Sequence, residues 1–299
     1  MVRALVGEGG GPWLSTVAEG RSGHRSRVGL RVPGHLQVAV RVLRGGLVRA
    51  SGGCGSRGKV RARVGNARLE PDVLLRVNEL LTVDIWSDIA CPWCYIGKRR
   101  FEEGVRRYRA VDGARGVEVV YHSFELAPDT PVDYDGSEID FLSGHKGMPV
   151  EQVRQMLDQV TGVAASVGLA YDFDSVQHTK TLKAHEALHH AKAHGLQSDL
   201  KERLLRGYFV EGRHVGREAD LADLAAEVGL DRESVLTALR SGEHRDAVDA
   251  DIRQARAYGI TGVPFFVVNG KYGVSGAQEP AVFEGALRRA ADDTQEVSR

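Results

Sequence analysis

From residue 138 to residue 258 the only periodic segments in the chain are helical, yet strand patterns stand directly before and after that block. On the N-terminal side Leu81, Val83 and Ile85 alternate with Thr82, Asp84 and Trp86, the period of a strand. Ser87, Asp88 and Pro92 then prepare a helix start, and Ile96, Phe101, Val105 and Tyr108 follow at helical spacing. A second strand is predicted at "GVEVVYHSFEL", with Val117, Val119 and Tyr121 on one face. Such a β-α-β order implies parallel strands. On the C-terminal side "VPFFVVNGKYGVSG" places Asn269-Gly270 between two apolar runs, a hairpin signal. Pro280 and the stripe Val282, Phe283, Ala286, Leu287 and Ala290 predict a closing helix. The order β-α-β, helical block, β-β-α describes an α/β chain with a large all-helical insertion.

Inside the block the helices are predicted from start and stop signals. Pro149 opens one that ends at Gly168; the next, "LKAHEALHHAKAHG", ends at Gly195. Ser198, Asp220 and Asp231 are read as N-caps and Gly229, Gly242 and Gly259 as C-terminal stops.

The formal net charge of zero argues against a nucleic-acid binder, but the charge is uneven. Residues 1–78 hold 14 Lys+Arg against 4 Asp+Glu, 15 of the 36 glycines, and no aromatic residue except Trp13. Such a leader cannot bury enough surface to offset ordering costs of roughly 1–2 kcal/mol per residue, so it is expected to be disordered. A flexible tail and a basic arm are both open to it. The reading preferred is translated sequence upstream of a natural start near Val77 or Val83. Lone Cys54 reads as an incidental thiol. The longest apolar candidate for an export signal is interrupted by Arg41 and Arg44, and no run reaches the ~20 residues of a membrane span. A soluble, cytoplasmic protein is expected.

Cys91-Pro92-Trp93-Cys94 lies at the turn between the first strand and the first helix. Structural zinc would need a second ligand pair, and none is at hand. At a helix start Cys91 would face free backbone N–H groups and the positive end of the dipole, which favour the thiolate. Cys94, one turn inward, is placed to resolve a mixed disulfide on Cys91. Pro92 fixes φ at the helix start, and Trp93 offers an apolar contact surface. Asp88 is a candidate proton acceptor for Cys94, with a turn or cap role as the stronger alternative.

"WSDIACPWCYIGKRRFEE", "LLRGYFVEGRHVG" and "YGITGVPFFVVNGKYGVSGAQ" together resemble the DsbA-like thioredoxin-fold oxidoreductases, in particular the FrnE-like cytoplasmic branch, from about residue 82 to 292. The resemblance implies a thioredoxin fold from residues 79–137 and 259–299, interrupted by a helical domain at 138–258. It implies Cys91 as nucleophile, Cys94 as resolving cysteine, and Val263-Pro264 as a cis-proline turn that binds substrate together with Pro92 and Trp93. The implied activity is thiol-disulfide exchange or isomerisation without a cofactor. Its partners would be a protein or small-molecule disulfide and a cellular thiol reductant, with neither nucleic acid nor membrane. The strongly oxidising members carry His where this chain has Trp93 and Glu where it has Ile85, so a milder oxidant is expected. In a reducing compartment a couple near −120 mV would favour the dithiol by about 5–9 kcal/mol, so the site is expected to donate electrons.

Three other readings are open. The segment "HEALH" places His185 and His189 in a zinc-peptidase pattern, but the extended pattern wants Gly and His where Lys192 and Gly195 stand. The apolar stripe Ala184, Ala187, Leu188 and Ala191 leaves both imidazoles on a solvated flank, with His190 and His194 as adventitious ligands. Kappa-class glutathione transferases and hydroxychromene-carboxylate isomerases share the architecture and use a thiol cosubstrate; retention of both cysteines argues against them. A peptide holdase using the Val263 edge and Trp93 is the non-enzymatic reading.

Overall fold

The computed structural model describes residues 80–297, with side chains up to Asp293, and four short strands ahead of them. These strands are β1 (Arg3–Ala4), β2 (Val28–Gly29), β3 (Ala39–Val42) and β4 (Val48–Ala50), of which β2, β3 and β4 pair antiparallel in a small sheet of their own. The rest of the leader, and with it the expectation of disorder over 1–78, lies outside the described residues.

The main sheet is built on β5 (Leu80–Ser87). It pairs in parallel with β6 (Gly116–Ser123) along its whole length, from Leu80 opposite Gly116 to Ser87 opposite Ser123. On its other side it pairs antiparallel with β7 (Phe265–Val268), Val83 facing Val268 and Trp86 facing Phe265. The hairpin partner of β7 is β8 (Tyr272–Ser275), with β1 on its outer edge. Strands on either side of the helical block thus meet in one sheet, and central β5, buried at Leu81, Val83 and Ile85–Ser87, joins its two halves.

Helix α1 (Pro92–Arg109) follows β5, and α9 (Pro280–Val297) follows β8. Both pack over a core of Leu81, Val83, Ile85, Phe101, Phe266 and Phe283. They cross closely at Gly104, where a Cβ would lie 2.7 Å from Phe283 Cβ and 2.8 Å from the Pro280 carbonyl oxygen. Overpacking costs about 1–3 kcal/mol, against at most about 1 kcal/mol gained in helix propensity. Gly104→Ala is therefore expected to lower stability by about 1–2 kcal/mol, read as a lower urea midpoint with an unchanged slope.

The block between the strands holds α2 (Glu138–Lys146), α3 (Val150–Ser166), α4 (Leu182–Ala193), α5 (Gln197–Val210), α6 (Glu218–Ala226), α7 (Arg232–Ser241) and α8 (Arg245–Ala257). Asp231 caps α7 as its sequence position predicts, accepting from the Ser234 N–H at 2.7 Å, and Gly242 ends that helix at φ 67°. Two predicted starts are displaced. Ser198 lies inside α5, whose N-cap is Leu196, and α6 begins at Glu218, ahead of Asp220. The largest apolar core, around Leu200, Leu204, Tyr208 and Leu221, also takes in Ile89, Tyr95 and Ile96 beside the cysteine turn. No described helix is long and apolar enough to cross a membrane.

Candidate functional site

Cys91 is the N-cap of α1, in extended conformation, and Pro92 occupies the first helical position. The Cys94 N–H is committed to the Cys91 carbonyl at 3.0 Å. Opposite the turn, the Val263–Pro264 peptide is cis, and the Val263 carbonyl accepts from Cys91 Sγ at 3.5 Å. A Cβ on Gly97 would lie 2.9 Å from Pro264 Cγ, so glycine lets the proline turn sit against the helix carrying the cysteines. Tyr171 donates to the Pro92 carbonyl at 2.7 Å and fixes the turn from the helical block. Both cysteines are free thiols and buried, whereas Trp93 is 39% exposed.

The N-cap position alone predicts a depressed Cys91, and the structure corrects this. No N–H of the first turn caps its side chain. The Cys91 thiol is pushed well up, first by its hydrogen bond with the Cys94 sulfur and then by burial. Cys94 is pulled down: burial opposes this, but the Cys91 thiol, the Lys201 charge, Ser87 and the Asp88 N–H outweigh it. Two sulfurs sharing a hydrogen bond lose one proton easily and hold the second tightly. The pair is thus built to carry a single negative charge, which rests toward Cys94.

Sequence reasoning missed Lys201. It lies on α5, is 1% exposed, and donates to the Ser87 carbonyl at 3.4 Å. Burial brings its ammonium down to about 8, with Cys94, Asp88 and Cys91 opposing the fall. Its charged neighbours in "DLKERLL" give it the look of a surface residue, and only the packing of α5 against the sheet buries it.

Asp88 is a buried hub. Oδ1 accepts from the Ile89 N–H at 2.7 Å and lies 3.2 Å from His185 Nε2; Oδ2 accepts from the Leu126 N–H at 2.8 Å. Burial raises its carboxyl, but His185, Leu126 and Thr181 outweigh burial and hold it below its ordinary value. With both oxygens engaged, its geometry suits the turn role better than proton transfer.

His185 and His189 are not on a solvated flank. Helix α4 is covered by α5, α6, α7 and α8, so the imidazoles face protein on both sides. His185 is 1% exposed against Asp88, and His189 Nε2 lies 2.9 Å from Asp251 Oδ2. Two separate carboxylates occupy the nitrogens that the zinc pattern would direct at one ion. Among the described residues a different trio, His190, Glu243 and His244, brings donor atoms within 4.8 Å of one another.

A cavity of about 310 Å³ opens beside the turn, lined by Asp88, Cys91, Pro92, Trp93 and Val263 at the cysteine end. Cys94 does not line it. Access therefore singles out Cys91, although charge rests toward Cys94. Part of the wall is α2, which sequence reading overlooked because its apolar periodicity is weak. Its capping box, with Asp140 N–H donating to Ser137 Oγ at 3.1 Å and Ser137 N–H to Asp140 Oδ2 at 3.0 Å, was the available signal.

The DSBA-like thioredoxin domain family matches residues 82–288. A probable DsbA oxidoreductase from Streptomyces coelicolor is 42% identical, with a TM-score of 0.66, over 71% of this chain and 90% of its own. The Bacillus subtilis protein YwbO is 29% identical over 210 residues, 69% of this chain and 94% of YwbO. A 2-hydroxychromene-2-carboxylate isomerase, 16% identical with a TM-score of 0.54, covers 73% of this chain and all of its own and shares the fold.

Proposed function

We propose, from the premise that this chain belongs to the DsbA-like thioredoxin family, that it exchanges disulfides through Cys91 and Cys94 and works mainly as a reductase of the FrnE-like kind. The observation that carries this reading is the placement of the two sulfurs: Cys91 lines the cavity beside the cis Val263–Pro264 peptide, and Cys94 is sealed behind it. Cys91 is the nucleophile because substrate reaches it. A proton crossing the S–H···S contact moves the shared negative charge onto Cys91, which attacks a substrate disulfide and forms a mixed disulfide. Cys94, stabilised as thiolate by Lys201, then attacks the Cys91 sulfur and releases the second thiol. Each turnover passes two electrons and two protons to the substrate and leaves a Cys91–Cys94 disulfide, which a cellular thiol reduces.

Trp93 supports the direction. Its exposed ring offers apolar contact but no imidazolium beside the Cys91 thiolate, so the reduced form loses that stabilisation and the couple is a weaker oxidant. Retention of both cysteines favours exchange over the thiol-dependent isomerisation of the related fold.

The test is trapping. A Cys94→Ser chain is expected to accumulate its partner as a mixed disulfide on Cys91, identified by mass spectrometry, while Cys91→Ser accumulates none. Equal trapping by both variants would refute the assignment of roles. A redox titration in defined thiol buffers is expected to place the couple below about −150 mV; a higher value would reverse the direction.

A further inference from the structure

We propose that the cavity beside Cys91 binds a low-molecular-weight disulfide with an apolar, ring-bearing body, anchored by the buried Glu138–His178 pair; this rests on the exchange reading above. The volume of about 310 Å³ falls at the lower end of small-molecule sites and is too small for a folded loop. Its wall opposite the cysteine turn is a helical stripe of α2: Glu138, Phe141, Leu142 and His145, spaced i, i+3, i+4, i+7. Phe141 and Leu142 remain half-buried, and both line the cavity. Met156 and Leu157 of α3, with Phe173, add apolar surface to a lining whose polar members include Glu138, His145, Lys146, His178, Thr179 and Thr181.

Of the polar side chains in that lining, His178 is the one with a buried atom lacking a hydrogen-bond partner. It is 5% exposed, its ring stacks on Phe141 with centroids 3.4 Å apart, and its Nδ1 lies 2.7 Å from Glu138 Oε2. The Tyr208 hydroxyl also reaches Nδ1, at 3.5 Å. Nε2 has no hydrogen-bond partner among the described residues. Buried polar atoms are rarely left unpaired without a use. With Nδ1 committed to the carboxylate, Nε2 is the ring's remaining hydrogen-bonding atom. A ligand that stacks in the apolar lining and carries one hydrogen-bonding group would satisfy it.

Of the two protons needed to release two thiols, one comes from the cysteine pair, which carries a single negative charge at rest, and one from solvent. The Cys91 thiolate attacks one sulfur of the small disulfide, breaking its S–S bond; the departing thiolate takes a proton and leaves as a thiol. Cys94 then displaces the second half, also released as a thiol. The substrate gains two electrons and two protons, and the dithiol becomes a disulfide.

The test mixes pre-reduced full-length chain, in single turnover, with dipyridyl disulfide and separately with insulin, and takes the ratio of the two rate constants. Leu142→Trp and Met156→Trp fill the cavity from partly exposed positions on different helices, so the outcome does not depend on one variant folding. His178→Phe keeps the stacked ring and removes both Nε2 and the Nδ1 contact with Glu138. The ratio is expected to fall at least about tenfold in the tryptophan variants and about threefold in His178→Phe. An unchanged ratio in tryptophan variants that retain the wild-type melting temperature overturns the cavity assignment and leaves the exchange reading intact. If the wild-type chain reduces neither probe, both fall.

Discussion

Replacing Lys201 with methionine is expected to slow release of the reduced product about tenfold near neutral pH while making the protein more stable. At an effective dielectric of about 20, unit charges roughly 4–6 Å apart interact by about 3–4 kcal/mol, or two to three pKa units. Without the ammonium, Cys94 is a buried thiol held mainly by neutral donors, and its thiolate population falls about a hundredfold. A more basic thiolate is also a better nucleophile, which recovers about half of that loss on a logarithmic scale. The net effect is about tenfold, and it should vanish as pH rises. Rapid-mixing kinetics across neutral and alkaline pH would show the variant's profile displaced to higher pH. An undisplaced profile would remove Lys201 from the chemistry. Stability moves the other way. The folded-state value of about 8 lies below the ordinary 10.5, so the cost of burying the charge is fully present below pH 8. It is relieved as pH rises from about 8 to 10.5, where the unfolded chain still binds the proton. Wild type should therefore be less stable than Lys201→Met by up to about 3 kcal/mol at pH 7, and the gap should close across that window. A variant that is slower but more stable cannot owe its slowness to misfolding.

This lysine marks the boundary of what the sequence discloses. Patterns that depend on near neighbours were legible: the alternation in β5, the Cys91–Cys94 turn on a strand-to-helix junction, the Asn269-Gly270 hairpin and the glycine stops. Whatever depended on a distant partner was not. The local environment of Cys91 suggests a helix-capped thiolate, but its sulfur faces a carbonyl 172 residues away. His185 and His189 look like a polar flank because helical periodicity records only the strongest apolar face. Their partners Asp88 and Asp251 are 97 and 62 residues distant, and a helix covered on several sides buries its polar residues as well. The cavity was illegible for a similar reason: α2 packs weakly, and its significance comes from what stands opposite it.

Asp88→Ala is expected to lower stability by about 3–5 kcal/mol, more than any other single substitution considered for this site. The carboxylate receives two backbone N–H groups and lies against one imidazole, all buried. Alanine leaves all three without a partner, and each unsatisfied donor costs about 1–3 kcal/mol. Asp88→Asn should lose less, because its amide oxygen still accepts one N–H while its NH₂ opposes the other. The pH dependence separates this from a loss of volume. The folded carboxyl lies below its ordinary 3.8, so its contribution is present above that value and disappears as pH falls through the lower, folded one. The difference between wild type and Asp88→Ala in urea unfolding should be constant from neutral pH down to about 4 and shrink only below that. A difference that varied between pH 5 and pH 8 would point to a histidine as the controlling group. Because Asp88 joins the cysteine turn to His185 of the helical block, its loss should also loosen the position of Cys91. Trapping by the Asp88→Ala, Cys94→Ser double variant should then be slower than by Cys94→Ser alone at a temperature where both are folded. Equal trapping rates would confine Asp88 to stability.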